Sequence, residues 1–247
     1  MYLTIQSIVL RVTDYNDKDA LLTMLTRRHG RLTVKARGLR WKNSPLIAPC
    51  QLLAYGEFTL FEYRGQYTIN EAQSIELFTP LRRDLTKLSL GTYFAQVSEV
   101  LSQEDMPNPE LQSLLLNCLY ALSKLNLPES QVKAVFELRA ACLSGYTPDL
   151  TGCHVCGSPV PERFDLSAGM LECRNCRSPE SSGIRMPVPP SVLEAMRYIC
   201  HCDSKKLFSF QAGEDTLQQL SEVTEAYLAT QLERGFSTLD FYKSLLI

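Results

Sequence analysis

The 247-residue chain reads as an α+β protein, an N-terminal β-barrel followed by helices that a cysteine-bearing insert interrupts. Three observations carry that reading. Short runs rich in Val, Ile, Leu, Thr, Tyr and Phe, separated by turn residues, fill the chain as far as Pro80. After Pro80 apolar residues recur at helical spacing. Between residues 146 and 187 both periods give way to a stretch rich in Gly, Pro and Cys.

The strand runs are "TIQSIVLRV", "ALLTMLT", "GRLTVKARG", "YGEFTLFEY" and "QYTINEAQSIEL". Between them lie Asp14-Tyr15-Asn16-Asp17, His29-Gly30, Asn43-Ser44-Pro45 and Arg64-Gly65. Five strands in so short a length suit a small Greek-key barrel such as the OB-fold. "ALLTMLT" is ambiguous, because its spacing also fits one or two helical turns. From Leu81 to about Gln103, the recurrence of Leu85, Leu88, Tyr93, Val97, Val100 and Leu101 predicts a first helix. "NPELQSLLLNCLYALSKLN" predicts a second, with Pro109 at a first-turn position and Glu110 beside it. "PESQVKAVFELRAACLSG" predicts a third, from Pro128 to a glycine stop at Gly145. Past "MPVPP" the helical period resumes in "SVLEAMRYICHC", "EDTLQQLSEVTEAYLATQLE" and "STLDFYKSLLI". The expected organisation is a barrel at 1–80, helical segments at 81–145 and 188–247, and the insert at 146–187.

Apolar residues make up 45% and charged ones 21%, an ordinary balance for a soluble globular protein. No apolar run approaches the roughly 18 residues of a membrane span. The N-terminus has no basic leader, so the expected location is the cytoplasm, with no membrane partner. The net charge of −2 hides a segregation. Between Asp19 and Glu57 there is no acidic residue, while Arg27, Arg28, Arg31, Lys35, Arg37, Arg40 and Lys42 contribute +7, leaving −9 for the rest. A pI near 6 does not exclude a polyanion partner when charge is divided in this way.

The most specific motif is Cys153-His-Val-Cys156-Gly followed by Cys173-Arg-Asn-Cys176. Each CxxC is a knuckle that turns two sulfurs toward one point, and two knuckles supply the tetrahedral S₄ set that Zn²⁺ prefers. Four thiolates leave no open position for water or substrate, so the expected metal is one structural Zn²⁺ per chain. The competing readings are two incidental or redox-active CxxC pairs and an iron–sulfur cluster on the same ligands. His154 and the Cys200-His201-Cys202 run add no knuckle, and Cys50, Cys118 and Cys142 sit in apolar contexts as small core residues.

The basic stretch resolves by strand period. Leu32, Val34 and Ala36 fall on one face, and Arg31, Thr33, Lys35 and Arg37 on the other. Gly38 lets the chain turn, and Arg40, Trp41 and Lys42 continue the cations on a loop. Trp41 is placed to stack a base beside cations that hold phosphates, the manner in which OB-folds bind single strands. The bland alternative is a solvated face with Trp41 packed on the barrel. An enzyme finds little support: GxxxxGK[ST], GxGxxG, GxSxG and HExxH are all absent, and none of the three histidines has a general-base context.

With these residues assembled, the whole chain resembles the RecO family of bacterial DNA repair proteins. "VLRVTDYNDKDALLTMLTRRHGRLTVKARGLRWKNSPL" resembles the family's N-terminal barrel, and "FELRAACLSGYTPDLTGCHVCG" its helix leading through Gly-Tyr-x-Pro into the first CxxC. The resemblance implies an OB-fold followed by a helical domain with a zinc-finger insert. It implies a non-enzymatic recombination mediator at the nucleoid that binds single-stranded DNA and anneals complementary strands, with duplex binding left open. Its implied partners are RecR and the acidic tail of single-stranded-DNA-binding protein. By position Lys35, Arg37, Arg40 and Lys42 fall on the family's basic barrel surface, and Cys153, Cys156, Cys173 and Cys176 on a metal site that some members lack. A second class stays open, a zinc-containing interaction scaffold whose basic patch meets an acidic protein tail. A nuclease with a further metal is third.

Overall fold

In the first half of the chain, alternating burial and a run of turns bend five strands into a closed barrel. They are β1 (Tyr2–Asp14), β2 (Ala20–Thr26), β3 (Arg31–Ala36), β4 (Tyr55–Tyr63) and β5 (Gln66–Glu76). The structure, a computed structural model, describes residues 1–176 and 183–246. Residues 177–182 of the expected insert and residue 247 of the last expected helical segment lie outside the described residues. Around the barrel the order is β1-β2-β3-β5-β4, with β1 pairing to both β2 and β4 and β3 parallel to β5. This is the OB-fold, and the chain is α+β.

The barrel closes over Ile5, Val9, Leu22, Met24, Val34, Phe58 and Leu60, joined by Leu46 and Cys50 from the long β3–β4 connection. The ambiguity of "ALLTMLT" has a physical source here. Leu22 and Met24 line the barrel, but the outward Leu25 is also fully buried because helices cover that side. A strand buried on both faces loses its two-residue alternation. In β1 the register shifts between Val9 and Arg11, so Ile8, Val9 and Leu10 are buried in succession.

Two compact units emerge from the chain. The first comprises residues 1–125 with the segment from Phe236 onward, and so combines the barrel with α1 (Leu85–Leu101), α2 (Pro109–Lys124) and α6 (Ser237–Ser244). Asn108 caps α2 through its side chain, with Pro109 in the first turn. At the His29-Gly30 turn, Gly30 has φ +65°, and a β-carbon there would lie 2.3 Å from the carbonyl oxygen of Gln103. Only glycine fits both demands.

The second unit, residues 126–235, holds α3 (Glu129–Leu143), α4 (Pro190–His201) and α5 (Glu214–Gln231). It also contains a four-stranded sheet in the order β6-β8-β7-β9. Its strands are β6 (Asp149–Cys153), β7 (Arg163–Asp165), β8 (Met170–Glu172) and β9 (Arg185–Pro187). Strands of three residues carry no readable period, which is why the sequence shows this region only as Gly/Pro/Cys-rich. Phe164 packs its ring 5.1 Å from Tyr227 of α5, and Arg197 of α4 donates from Nε to the Leu150 carbonyl at 2.8 Å. Between α3 and α5 the buried Lys133 ammonium lies 3.0 Å from Glu137 and 2.8 Å from Glu225. Burial pushes the Glu137 carboxyl up, and Lys133 and the Thr224 hydroxyl oppose it.

Candidate nucleic-acid interface and metal centre

Strand β3 has the face division that its sequence predicts. Leu32, Val34 and Ala36 are buried, and Arg31, Thr33, Lys35 and Arg37 point outward with partial or full exposure. The chain then turns at Gly38, whose φ is +65°; a β-carbon there would meet the Trp41 indole at 3.1 Å. The ring therefore lies on glycine backbone and keeps 59% of its surface exposed. Arg37, Arg40 and Lys42 are exposed around it.

The β1–β2 loop pins this segment. Asp19 accepts the Gly38 backbone N–H at 2.9 Å and pairs with Lys35 at 3.1 Å, and Arg40 donates its backbone N–H to the Lys18 carbonyl at 3.1 Å. The Gly38 N–H, then Lys35, pull the Asp19 carboxyl down to about 2. Arg40 also forms an ion pair with Asp14. The patch thus contains two kinds of cation. Lys35 and Arg40 already have carboxylate partners, whereas Arg37 and Lys42 have no ion pair among the described residues.

Arg31 stands apart from the other candidates. It lies at the opposite end of β3, and its guanidinium donates to the Glu99 carbonyl in the last turn of α1 at 3.0 Å. There its charge meets the negative end of a helix. One aromatic of the patch was hidden in a turn signal. Tyr15, in the Asp14–Asp17 turn, is 56% exposed, and the Lys35 ammonium sits 4.5 Å from its ring centroid. Turn residues mask such a side chain, because the signal for the loop says nothing about what the loop carries.

In the second unit the two CxxC motifs converge. The sulfurs of Cys153, Cys156, Cys173 and Cys176 all lie within 4.8 Å of one another, and those of Cys156 and Cys173 are 3.8 Å apart. A tetrahedral site with metal–sulfur bonds of about 2.3 Å has sulfur–sulfur edges of about 3.8 Å, so the set fits a metal ion. Each knuckle is closed by a backbone bond, Gly157 N–H to the Cys153 carbonyl at 2.8 Å and Cys176 N–H to the Cys173 carbonyl at 3.1 Å. Burial raises the Cys153 thiol, but the N–H groups of Cys156, Cys173 and Val155 outweigh it and bring it down to about 6. Contact with the Cys156 side chain pushes Cys176 up to about 12. His154 is not part of the cluster; its Nδ1 lies 3.1 Å from the Leu171 carbonyl. Among the core cysteines, Cys50 and Cys118 are buried, while Cys142 is half-buried with its sulfur 3.8 Å from that of Cys200. No described helix is long and apolar enough to cross a membrane.

Comparison with known proteins adds a match over both units. Residues 1–78 match the family model described as Recombination protein O N terminal, and residues 82–240 the model described as Recombination protein O C terminal. A DNA repair protein RecO of Acetivibrio thermocellus is 33% identical, over 99% of this chain and 97% of that protein. Those of Alkaliphilus metalliredigens and Bacillus subtilis are each 28% identical. The first match covers 99% of this chain and 100% of that protein, the second 90% and 86%.

Proposed function

The chain belongs to the RecO family of DNA repair proteins, and on that premise we propose that it mediates recombination by binding single-stranded DNA and annealing complementary strands. The observation that carries the reading is the single outward face of β3, where Lys35 and Arg37 continue into Arg40, Trp41 and Lys42. Cations hold phosphates, and an exposed indole stacks a base without regard to sequence. Annealing follows from charge neutralisation, since two polyanions that repel each other in water approach on a cationic surface. No nucleotide-cradling motif exists to couple ATP to the work, and the protein acts as a mediator and not as an enzyme. RecR and the acidic tail of single-stranded-DNA-binding protein are its protein partners on this reading.

The cysteine cluster holds one structural Zn²⁺. Cys153, Cys156, Cys173 and Cys176 would be its ligands, and a bound ion would join β6 and β8 through their knuckles with no position left for catalysis. The barrel at 1–80 is then the DNA-binding domain, 146–187 the zinc module, and 81–145 and 188–247 the helical segments.

Fluorescence anisotropy with labelled oligo-dT across a salt series tests the DNA assignment. For single strands each phosphate contact contributes about −0.7 to the slope of log K against log salt. Arg37 and Lys42 alone would give roughly −1.4, and opening the two ion pairs would bring it to roughly −3. Lys35→Ala with Arg37→Ala should flatten the slope by about 1. Trp41→Ala should weaken binding by about 1–3 kcal/mol and leave the slope nearly unchanged. A folded double variant that keeps both affinity and slope would hand the patch to an acidic protein tail instead.

A further inference from the structure

The barrel carries a second surface with the composition of a strand-binding site, on the side remote from β3. In the ring β1-β2-β3-β5-β4, strand β3 touches β2 and β5, so the β1–β4 pair lies opposite it. Along that seam the outward residues are Tyr2, Thr4 and Gln6 of β1, set against Phe61, Thr59 and Glu57 of β4. Here Tyr2 is 62% exposed, Phe61 41% and Tyr63 59%, with the Tyr2 and Phe61 rings 5.3 Å apart.

Cations bracket these rings. At one end Arg64 lies 5.2 Å from the Tyr63 centroid. At the other, the exposed Arg27 and Arg28 of the β2–β3 turn line a cleft of about 570 Å³ with Thr4, Gln6, His29 and Glu57. Neither arginine forms an ion pair among the described residues, in contrast to Lys35 and Arg40 on the β3 face. From Glu57 to Tyr63 the track runs roughly 20 Å at about 3.4 Å per residue. That accommodates the few nucleotides that define the small end of barrel site sizes.

We propose that the β1–β4 seam is a second binding site for single-stranded nucleic acid, with Tyr2, Phe61 and Tyr63 stacking bases and Arg27, Arg28 and Arg64 holding phosphates. The proposal rests on the DNA-binding reading of the chain and deepens it. Charge complementarity selects the ligand: exposed rings alone would suit any apolar partner, but rings between unpaired arginines suit a polyanion with planar bases. Two strands held on opposite faces of one small barrel are at high effective concentration, which promotes their pairing without fixing them in register. Glu57, the acidic side chain in the cleft, opposes binding, so its neutralisation should strengthen it.

Stoichiometric titration of the full chain with a fluorescent twelve-nucleotide oligo-dT at low salt tests this, together with an annealing assay on complementary oligonucleotides. The wild type should bind two strands per chain. Tyr2→Ser with Phe61→Ser should bind one and anneal about ten-fold more slowly. Arg27→Ala with Arg28→Ala leaves the rings in place, so it guards against a folding defect, and should weaken the seam site about five-fold. Glu57→Gln should tighten it about three-fold. If the seam variants bind as many strands as the wild type and anneal equally fast, the proposal is overturned and the seam is a protein-docking surface. Failure of the DNA-binding reading itself looks different, since the wild type would then bind no oligonucleotide.

Discussion

The barrel and the cysteine-bearing sheet are both small β structures, yet they are held in different ways. The barrel encloses Ile5, Val9, Leu22, Met24, Val34, Phe58 and Leu60, and its strands run from six to thirteen residues. The sheet β6–β9 buries Leu150, Phe164, Leu166 and Leu171, and three of its four strands are three residues long. So few apolar side chains cannot offset the entropy of ordering the segment, and other chemistry must contribute. Four sulfurs within 4.8 Å could supply one part by holding a metal ion. Buried Asp165 and Glu172 supply another, with Arg185 donating to Glu172 at 2.7 Å and lying 3.7 Å from Asp165. The lesson is that a hydrophobic core scales with strand length, whereas a point crosslink does not.

The strongest test of that contrast is to break the sulfur site. Cys153→Ala with Cys156→Ala should unfold the sheet, because structural zinc contributes on the order of 10 kcal/mol in finger peptides at neutral pH. Hydrogen exchange should show amides of β6–β8 losing protection while those of β1–β5 keep theirs. Elemental analysis of the wild type should give one zinc per chain, and protein with no bound metal and a protected sheet would refute the dependence. The reciprocal substitution acts on packing. Phe58→Ala, at a fully buried position of the barrel, should cost about 3–5 kcal/mol and lower the midpoint of denaturation. Zinc content should not change.

A smaller effect sharpens the comparison at the barrel's loop, where polar contacts and not the core set the conformation. The Asp19 carboxyl titrates near 2 in the folded protein, below its ordinary 3.8. Its contribution is therefore complete above pH 3.8 and lost as the pH falls from 3.8 to 2. The emission of Trp41, the sole tryptophan, should stay constant from pH 7 to about 4 and change below that as the loop over Gly38 loosens. Asp19→Asn should show the altered emission already at pH 7. A variant with wild-type emission at every pH would mean that Asp19 does not order the loop.

Much of this was legible in the residues. The five strand runs, the helix start at Pro109 and the division of β3 into apolar and cationic faces follow from period and local backbone preference, which are carried by neighbours in sequence. Each CxxC knuckle was legible for the same reason, since its geometry is local, whereas the convergence of the two rests on the pairing of β6 with β8. The pairing of Lys35 with Asp19 was not, and neither was the diversion of Arg31 to the end of α1, because each depends on where a distant segment passes.

The order of the strands around the barrel belongs to that second class. Sequence alternation determined that Tyr2 shares one face of β1 with Thr4 and Gln6, and that Phe61 and Tyr63 share one face of β4 with Glu57 and Thr59. Only the closed ring, with β1 hydrogen-bonded to β4, brought Tyr2 against Phe61 and put both opposite β3. The two-residue period reports which side of a strand a residue occupies, and says nothing about which strand comes to lie beside it. That choice is made by the burial available when all five strands close together.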